Sequence, residues 1–330
     1  MLAAVLAWTA ITRLGVRPGV AVAVAGVFAA GVPLAPYGTQ VYPEVPAALA
    51  VAVAIAALLG TPRASTAVIV GLACCALPWL GIKYTPVAAV LAAVALRALW
   101  RAGRRRSAGA LVAAVALAGA GYLVVHQLVW TGWTVYASAD HFVATGQLSV
   151  VGVTPDHWAR TTRLVGLLVE RSFGIAAWQP AWLLSVAAAA AVVRVRPPGW
   201  RLLLVVVLPA AVLLRAWWAD RHAWVARAVV ALGVVGVAAW LLLAWEASTG
   251  DVTLVIDFFD TTNPLYQAWR VLLPDYLAPS AATWWRHAGW LVALTGLALV
   301  GWRSATPAVS APATPRHGAD RTAESVTELT

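Results

Sequence analysis

Apolar residues fall in long, nearly unbroken runs separated by short polar stretches. The runs cover residues 2–11, 20–35, 45–59, 67–80, 86–100, 108–129, 175–193, 202–214, 228–245 and 288–300. Several fall short of the roughly 20 residues that a straight membrane span needs. Flanking Trp, Tyr and Arg extend such runs by anchoring at the interface or by snorkelling. Ala, Gly and Val dominate the runs, which lets helix backbones pack closely. The pattern predicts an all-α protein, a polytopic transmembrane helix bundle with about nine or ten hydrophobic segments. The membrane domain is expected over residues 1–303, with longer outer loops at about 130–174 and 246–286. The first run reads as a shortened helix. No basic stretch precedes it, so it does not read as a signal peptide. Residues 304–330, rich in Ala, Pro, Ser and Thr, read as a disordered cytoplasmic tail.

Charge sets the orientation. Arg97, Arg101, Arg104, Arg105 and Arg106 form the densest cluster, so the loop 97–106 is expected to be cytoplasmic. Counting helices from it puts Arg13, Arg17, Arg63, Arg194, Arg196 and Arg201 inside as well. The loops 36–44, 81–85 and 130–174 then fall outside. The run 202–214 breaks the alternation. It carries Pro209, and both flanks are basic: Arg194 and Arg201 before it, Arg215, Arg221 and Arg227 after it. A single crossing cannot place both flanks inside. The acid-rich loop 246–286 reads as external, which favours a re-entrant or broken segment here.

Composition supports the membrane assignment and excludes one rival. Hydrophobic residues are 62% and charged residues 11% of the 330, against about 25% charged in soluble domains. The formal net charge of +10 invites a nucleic-acid reading. Its placement in clusters between apolar runs follows the positive-inside bias instead, and no nucleic-acid partner is expected. Cys74 and Cys75 are adjacent, inside an apolar run, and read as packing residues.

Acids are scarce, so each is informative. Glu44 is the sole Asp or Glu in the first 139 residues. It sits beside Tyr37, Gln40 and Tyr42 at the outer end of a helix. It is a candidate base, sugar ligand or metal ligand; the alternative is an acid favoured by the helix N-terminus. Lys83 and Tyr84 occupy a short outer loop, where a cation could meet a phosphate headgroup or serve as an interfacial anchor. The loop 130–174 carries two Asp-His steps, Asp140-His141 and Asp156-His157, at a spacing that matches no standard ligand pattern. A divalent metal cofactor is therefore left open without a motif to hold it. Glu170 and Arg171 precede a Trp-rich helix, a placement suited to an amphipathic substrate or to a plain aromatic belt. In the last outer loop Asn263-Pro264 and Pro274-Asp275 mark turns, with a short surface helix between them.

Four stretches occur in an order that resembles a known family: QVYPEVPAAL, LPWLGIKYTPVAAVLAAVALRALWR, LVERSFGIAAWQPAWLL and NPLYQAWRVLLPDY. They resemble actinobacterial relatives of the dolichyl-phosphate-mannose–protein mannosyltransferases, in the GT-C class of membrane glycosyltransferases. The resemblance covers roughly residues 20–279. It implies transfer of a sugar from a polyprenyl-phosphate carrier to an acceptor at the outer face of the cell membrane. By resemblance, Glu44 matches an acidic residue at the outer end of a helix and Lys83 a cation near the carrier phosphate. Arg171 would be a further phosphate or sugar contact. Tyr42, Tyr84, Asp140, His141, Asp275 and Tyr276 complete the candidate substrate contacts. The family's principal catalytic Asp lies in its first outer loop, yet no acid precedes Glu44 here. That departure implies a chain that starts about two helices late, as an incomplete or an inactive relative. Two other classes compete. A transporter or flippase predicts ionisable residues at a midplane cavity and paired repeats. A non-catalytic membrane subunit predicts stable association with another membrane protein and no transfer.

Overall fold

The computed structural model describes residues 2–32, 34–38, 43–144, 162–197, 199–205, 207–254 and 260–305. These residues form an all-α bundle, with no strand among them. In chain order the helices are α1 (Leu2–Arg13), α2 (Pro18–Ala30), α3 (Leu34–Gly38), α4 (Glu44–Leu58), α5 (Ala64–Leu80), α6 (Thr85–Arg101), α7 (Arg105–Trp130), α8 (Ala137–Ala144) and α9 (Thr162–Val169). There follow α10 (Ile175–Trp178), α11 (Leu184–Val195), α12 (Trp200–Val205), α13 (Val207–Arg221), α14 (Ala223–Thr249), α15 (Pro264–Arg270) and α16 (Ala281–Ser304).

Three stretches are long and apolar enough to cross a membrane: Ile82–Arg101, Arg105–Trp130 and Ala223–Thr249. At 1.5 Å per residue, α7 and α14 reach about 40 Å, more than the roughly 30 Å of a bilayer's hydrocarbon core. The chain is a membrane protein. The helices α1, α2, α4 and α5 are apolar but shorter, at 12, 13, 15 and 17 residues. Local signals set the boundaries. Pro18, Pro86 and Pro264 sit in first turns, where a missing N–H costs nothing. Gly250 closes α14 in the left-handed region at φ 86°.

One of the apolar runs is interrupted. The run 175–193 is α10, a 3-10 turn (Pro180–Leu183) and α11, because Pro180 cannot donate the next helical hydrogen bond. Gln179 at that break turns its carboxamide into the space left by Gly31 and Gly236, where a Cβ on either glycine would collide with it. The run 202–214 carries α12 and α13, and residue 206 between them lies outside the described residues.

Long-range contacts sort the charges onto two ends of the bundle. At one end Arg13 donates to the Ala56 carbonyl, Arg104 Nε to the Pro62 carbonyl at 3.0 Å and Arg194 Nη1 to the Trp302 carbonyl at 2.8 Å. Arg17 Nε donates to Asp220 at 2.8 Å, and Trp218 Nε1 donates to Ser304 Oγ at 3.2 Å. This basic end gathers the turns after α1, α4 and α6 with the C-termini of α11, α13 and α16. At the other end Lys83 pairs with Glu44, Trp182 Nε1 donates to the Val32 carbonyl and Arg171 pairs with Asp275. Among the described residues Asp220 is the one acid at the basic end; Glu44, Glu170, Glu246, Asp251, Asp260 and Asp275 lie at the other.

The same contacts resolve the conflict around residues 194–227. Gly199 abuts Leu59 at the C-terminus of α4, and Asp220 meets Arg17. The chain therefore enters α12 and leaves α13 at the same, basic end. Both flanks of this segment therefore lie at the basic end, and the residue that joins α12 to α13, 206, is outside the described residues.

Packing relies on close backbone approach. The tightest seam joins α11 to α16, where a Cβ on Gly301 would strike the Ala187 carbonyl. Gly296, on the same helix, faces open space. The substitution Gly301→Ala is expected to destabilise the bundle by about 1–3 kcal/mol through overpacking. Gly296→Ala should be neutral or slightly stabilising, since Ala is the better helix former. Thermal unfolding of the purified protein in detergent checks both.

Candidate functional site

The acidic end brings α4 and the turn before α6 together. Pro43 precedes α4 and Glu44 opens it, so the carboxylate sits in the first turn with the helix N–H groups behind it. Gly81 turns the chain out of α5, and a 3-10 turn (Ile82–Tyr84) aims Lys83 back across the gap. Lys83 Nζ donates to Glu44 Oε1 at 2.5 Å, and the same ammonium stands 5.2 Å from the Tyr84 ring centroid. The two partners are unequally covered: the side chain of Lys83 is 62% exposed and that of Glu44 23%. The amine is thus open to an arriving anion while the carboxylate is largely enclosed.

Among the described residues three buried polar atoms around this pair make no hydrogen bond of good geometry, Glu44 Oε2, the Tyr84 hydroxyl and Thr85 Oγ1, although the Tyr84 hydroxyl is close enough to Glu44 and Lys83 to interact with both. Buried polar groups are normally satisfied, so a group without a well-formed hydrogen bond has room for a further polar neighbour. Three such atoms beside one ion pair make a cradle for a hydroxyl-bearing or anionic group. Thr85 also lines an apolar cavity of about 270 Å³ between α5, α6 and α7, with Cys75, Pro78, Trp79, Ile82 and Tyr122 among its walls. The polar cradle and the apolar cavity therefore meet at Ile82 and Thr85.

A second cluster occupies the same end. Glu170 Oε2 accepts from the backbone N–H groups of Ser172 and Phe173, each at 2.6 Å. Gly174 makes this tight turn possible, because a Cβ there would collide with the Glu170 backbone. Arg171 Nη1 meets Asp275 Oδ2 at 3.1 Å, while Asp275 Oδ1 accepts from the N–H groups of Leu277 and Ala278. The Tyr266 hydroxyl donates to the Arg171 carbonyl at 2.7 Å, and its ring stacks on Trp178 at 4.3 Å. Tyr276 lies 2.5 Å from His287 Nδ1. Burial pushes the Tyr266 and Tyr276 phenols up to about 12, with the negative charge of Glu170 adding to both shifts. Both remain neutral at any physiological pH. Glu246 holds the turn before α15 by accepting from Thr261 and Thr262.

Of the residues expected from sequence, Glu44, Lys83 and Tyr84 form the first cluster, and Arg171, Asp275 and Tyr276 the second. His141 stands apart in α8, with its ring 5.3 Å from Trp130. Tyr42, the Asp140 side chain and the second Asp-His step lie outside the described residues. Among the described residues no three His, Cys, Asp or Glu side chains gather as metal ligands. Sequence reasoning missed Thr85, whose position on the inward face beside Lys83 and Tyr84 was the available signal. It also missed the network around Glu246, which depends on a 15-residue return of the chain.

The two clusters should respond differently to truncation. Asp275→Ala removes three interactions from a buried carboxylate and is expected to cost about 2 kcal/mol. Lys83→Ala cuts an exposed pair and should cost under about 1 kcal/mol. Thermal unfolding in detergent separates the two outcomes. No protein-family model matches the chain, and neither a curated protein nor a solved structure shows significant similarity to it.

Proposed function

We propose that the chain is a membrane-embedded glycosyltransferase that takes a polyprenyl-phosphate-linked sugar at its acidic end. The observation that carries this reading is the pair of Glu44 and Lys83, with the buried hydroxyls of Tyr84 and Thr85 beside it, next to an apolar cavity that Thr85 lines. That combination suits a ligand with an anionic head, sugar hydroxyls and a hydrocarbon chain. The orientation follows from the arginines: the basic end, with the loop 97–106, is cytoplasmic, and the acidic end, with the loop 130–174, faces outward in a multi-pass cell-membrane protein.

On this reading Lys83 exchanges the carboxylate for the carrier phosphate as the lipid chain enters between α5, α6 and α7. Glu44, freed of its partner, accepts the proton of the acceptor hydroxyl. The hydroxyl oxygen bonds to the anomeric carbon. The bond from that carbon to the phosphate oxygen breaks, and polyprenyl phosphate leaves with the electron pair. The cation near the leaving phosphate lowers the cost of that charge. Arg171, held by Asp275, offers a second contact for sugar or phosphate.

One observation favours a second reading, a non-catalytic subunit that binds the same lipid. Glu170, Glu246 and Asp275 each hold a local turn, and Glu44 already has a cation against one oxygen. Reconstituted full-length protein, radiolabelled hexosyl polyprenyl phosphates and a panel of acceptors decide between them. Transfer should fall by about 100-fold or more in Glu44→Gln. Lys83→Ala should raise KM more than it lowers kcat. Transfer untouched by Glu44→Gln contradicts the proposed base. Lipid binding without transfer in the wild type, lost in Lys83→Ala, selects the subunit.

A further inference from the structure

Arg215 stands apart from every other cation in the chain. It is 1% exposed, in the middle of α13. Its Nε donates to the Ala211 carbonyl at 3.2 Å, one turn back along α13. The side chain thus points away from the basic end and toward the N-terminus of α13, as helical side chains do. Six residues separate it from Arg221, so its Cα lies about 9 Å inside that end. Its guanidinium lies over the Trp182 ring, 4.5 Å from the centroid, and Nη1 has no hydrogen-bond partner. No carboxylate forms an ion pair with it among the described residues; Asp220 is bound to Arg17. A guanidinium cannot shed its charge as a lysine can. An enclosed, uncompensated cation in a membrane helix is a default functional candidate whose partner must be named.

The surroundings identify that partner's chemistry. Trp182 is common to both: it carries the guanidinium, and it borders a cavity of about 170 Å³ between α1, α4 and α13. Phe28, Ala52, Ile55, Val212 and Leu213 line that cavity, which is apolar. A guanidinium fork matches the oxygens of a phosphate or carboxylate. A bare anion would have to shed its hydration here, whereas an anion attached to a hydrocarbon chain offsets that cost by filling the cavity. We infer that Arg215 is the oxyanion-binding residue of a second lipid site, distinct from the pair of Glu44 and Lys83, which takes a single-chain lipid phosphate. The chain occupies the cavity beside Trp182. The phosphate rounds the ring to reach Nη1. This site stands whether or not the protein transfers sugar.

The test is ligand-dependent thermal unfolding of delipidated, full-length protein in detergent. The probes are dodecyl phosphate, dodecanol and inorganic phosphate. Dodecyl phosphate should raise the midpoint by about 5 °C at saturation, and the other two should not. Arg215→Met should abolish the shift. Arg215→Lys, which keeps the charge but loses the fork, should weaken binding about tenfold. Ala52→Leu fills the cavity without touching the cation and should also remove the response. An equal shift in Arg215→Met or in Ala52→Leu overturns the inference. A shift with inorganic phosphate alone assigns the site to a free anion and overturns the lipid assignment; one with dodecanol alone removes the role of the oxyanion. Should Arg215→Met fail to fold, Arg215→Lys and Ala52→Leu still decide, since unchanged affinity in both contradicts the site.

Discussion

The structure depends on one constraint: a charge inside an apolar bundle needs a partner, and water is not there to provide it. Helices satisfy their own backbone groups, so side-chain charge is what must be managed. This chain manages it by segregation. Among the described residues most arginines sit at one end and all acids but Asp220 at the other, and the long runs of Ala, Val, Leu and Gly between them carry almost none. Helix association then rests on close packing rather than on expelling water. The seam where Gly301 meets the backbone of α11, and the pocket that Gly31 and Gly236 leave for Gln179, are direct products of that requirement.

Segregation also explains where chemistry can occur. At the acidic end, carboxylates are bound either to backbone N–H groups, as with Glu170 and Asp275, or to hydroxyls, as with Glu246. These are uses that build turns. Glu44 differs because its partner is the exposed amine of Lys83, with the Tyr84 and Thr85 hydroxyls enclosed beside it. An ion pair with an exposed amine is cheap to exchange, so an anionic ligand can take the lysine without disrupting the fold. Arg215, buried in α13, is the second departure from segregation.

Much of the architecture was legible in the sequence because the apolar runs and the arginine clusters report directly on it. That both flanks of the segment 202–214 gather at one end follows from Arg194 and Arg201 before it and Arg221 and Arg227 after it. The short helix after Asn263-Pro264 follows from its turn signals. The break at Pro180 was present as a residue but masked by its apolar neighbours. The pairing of Lys83 with Glu44 could be anticipated only as two residues at the same end; their contact depends on how α4 packs on α5. Arg215 was read as a flanking charge. Its position six residues before Arg221, among apolar neighbours on both sides, marks it as interior instead.

The central claim is that two charged ends organise the bundle and that the segment 202–214 enters and leaves at the basic one. Single cysteines in a background with Cys74 and Cys75 replaced by Ala test it, using a membrane-impermeant thiol reagent on sealed, right-side-out and inverted vesicles. Cysteines at Arg104, Arg201 and Arg221 should label from one side, and those at Thr131, Asp251 and Leu277 from the other. Labelling of Arg201→Cys and Arg221→Cys from opposite sides would contradict the account, because the segment between them would then cross the membrane.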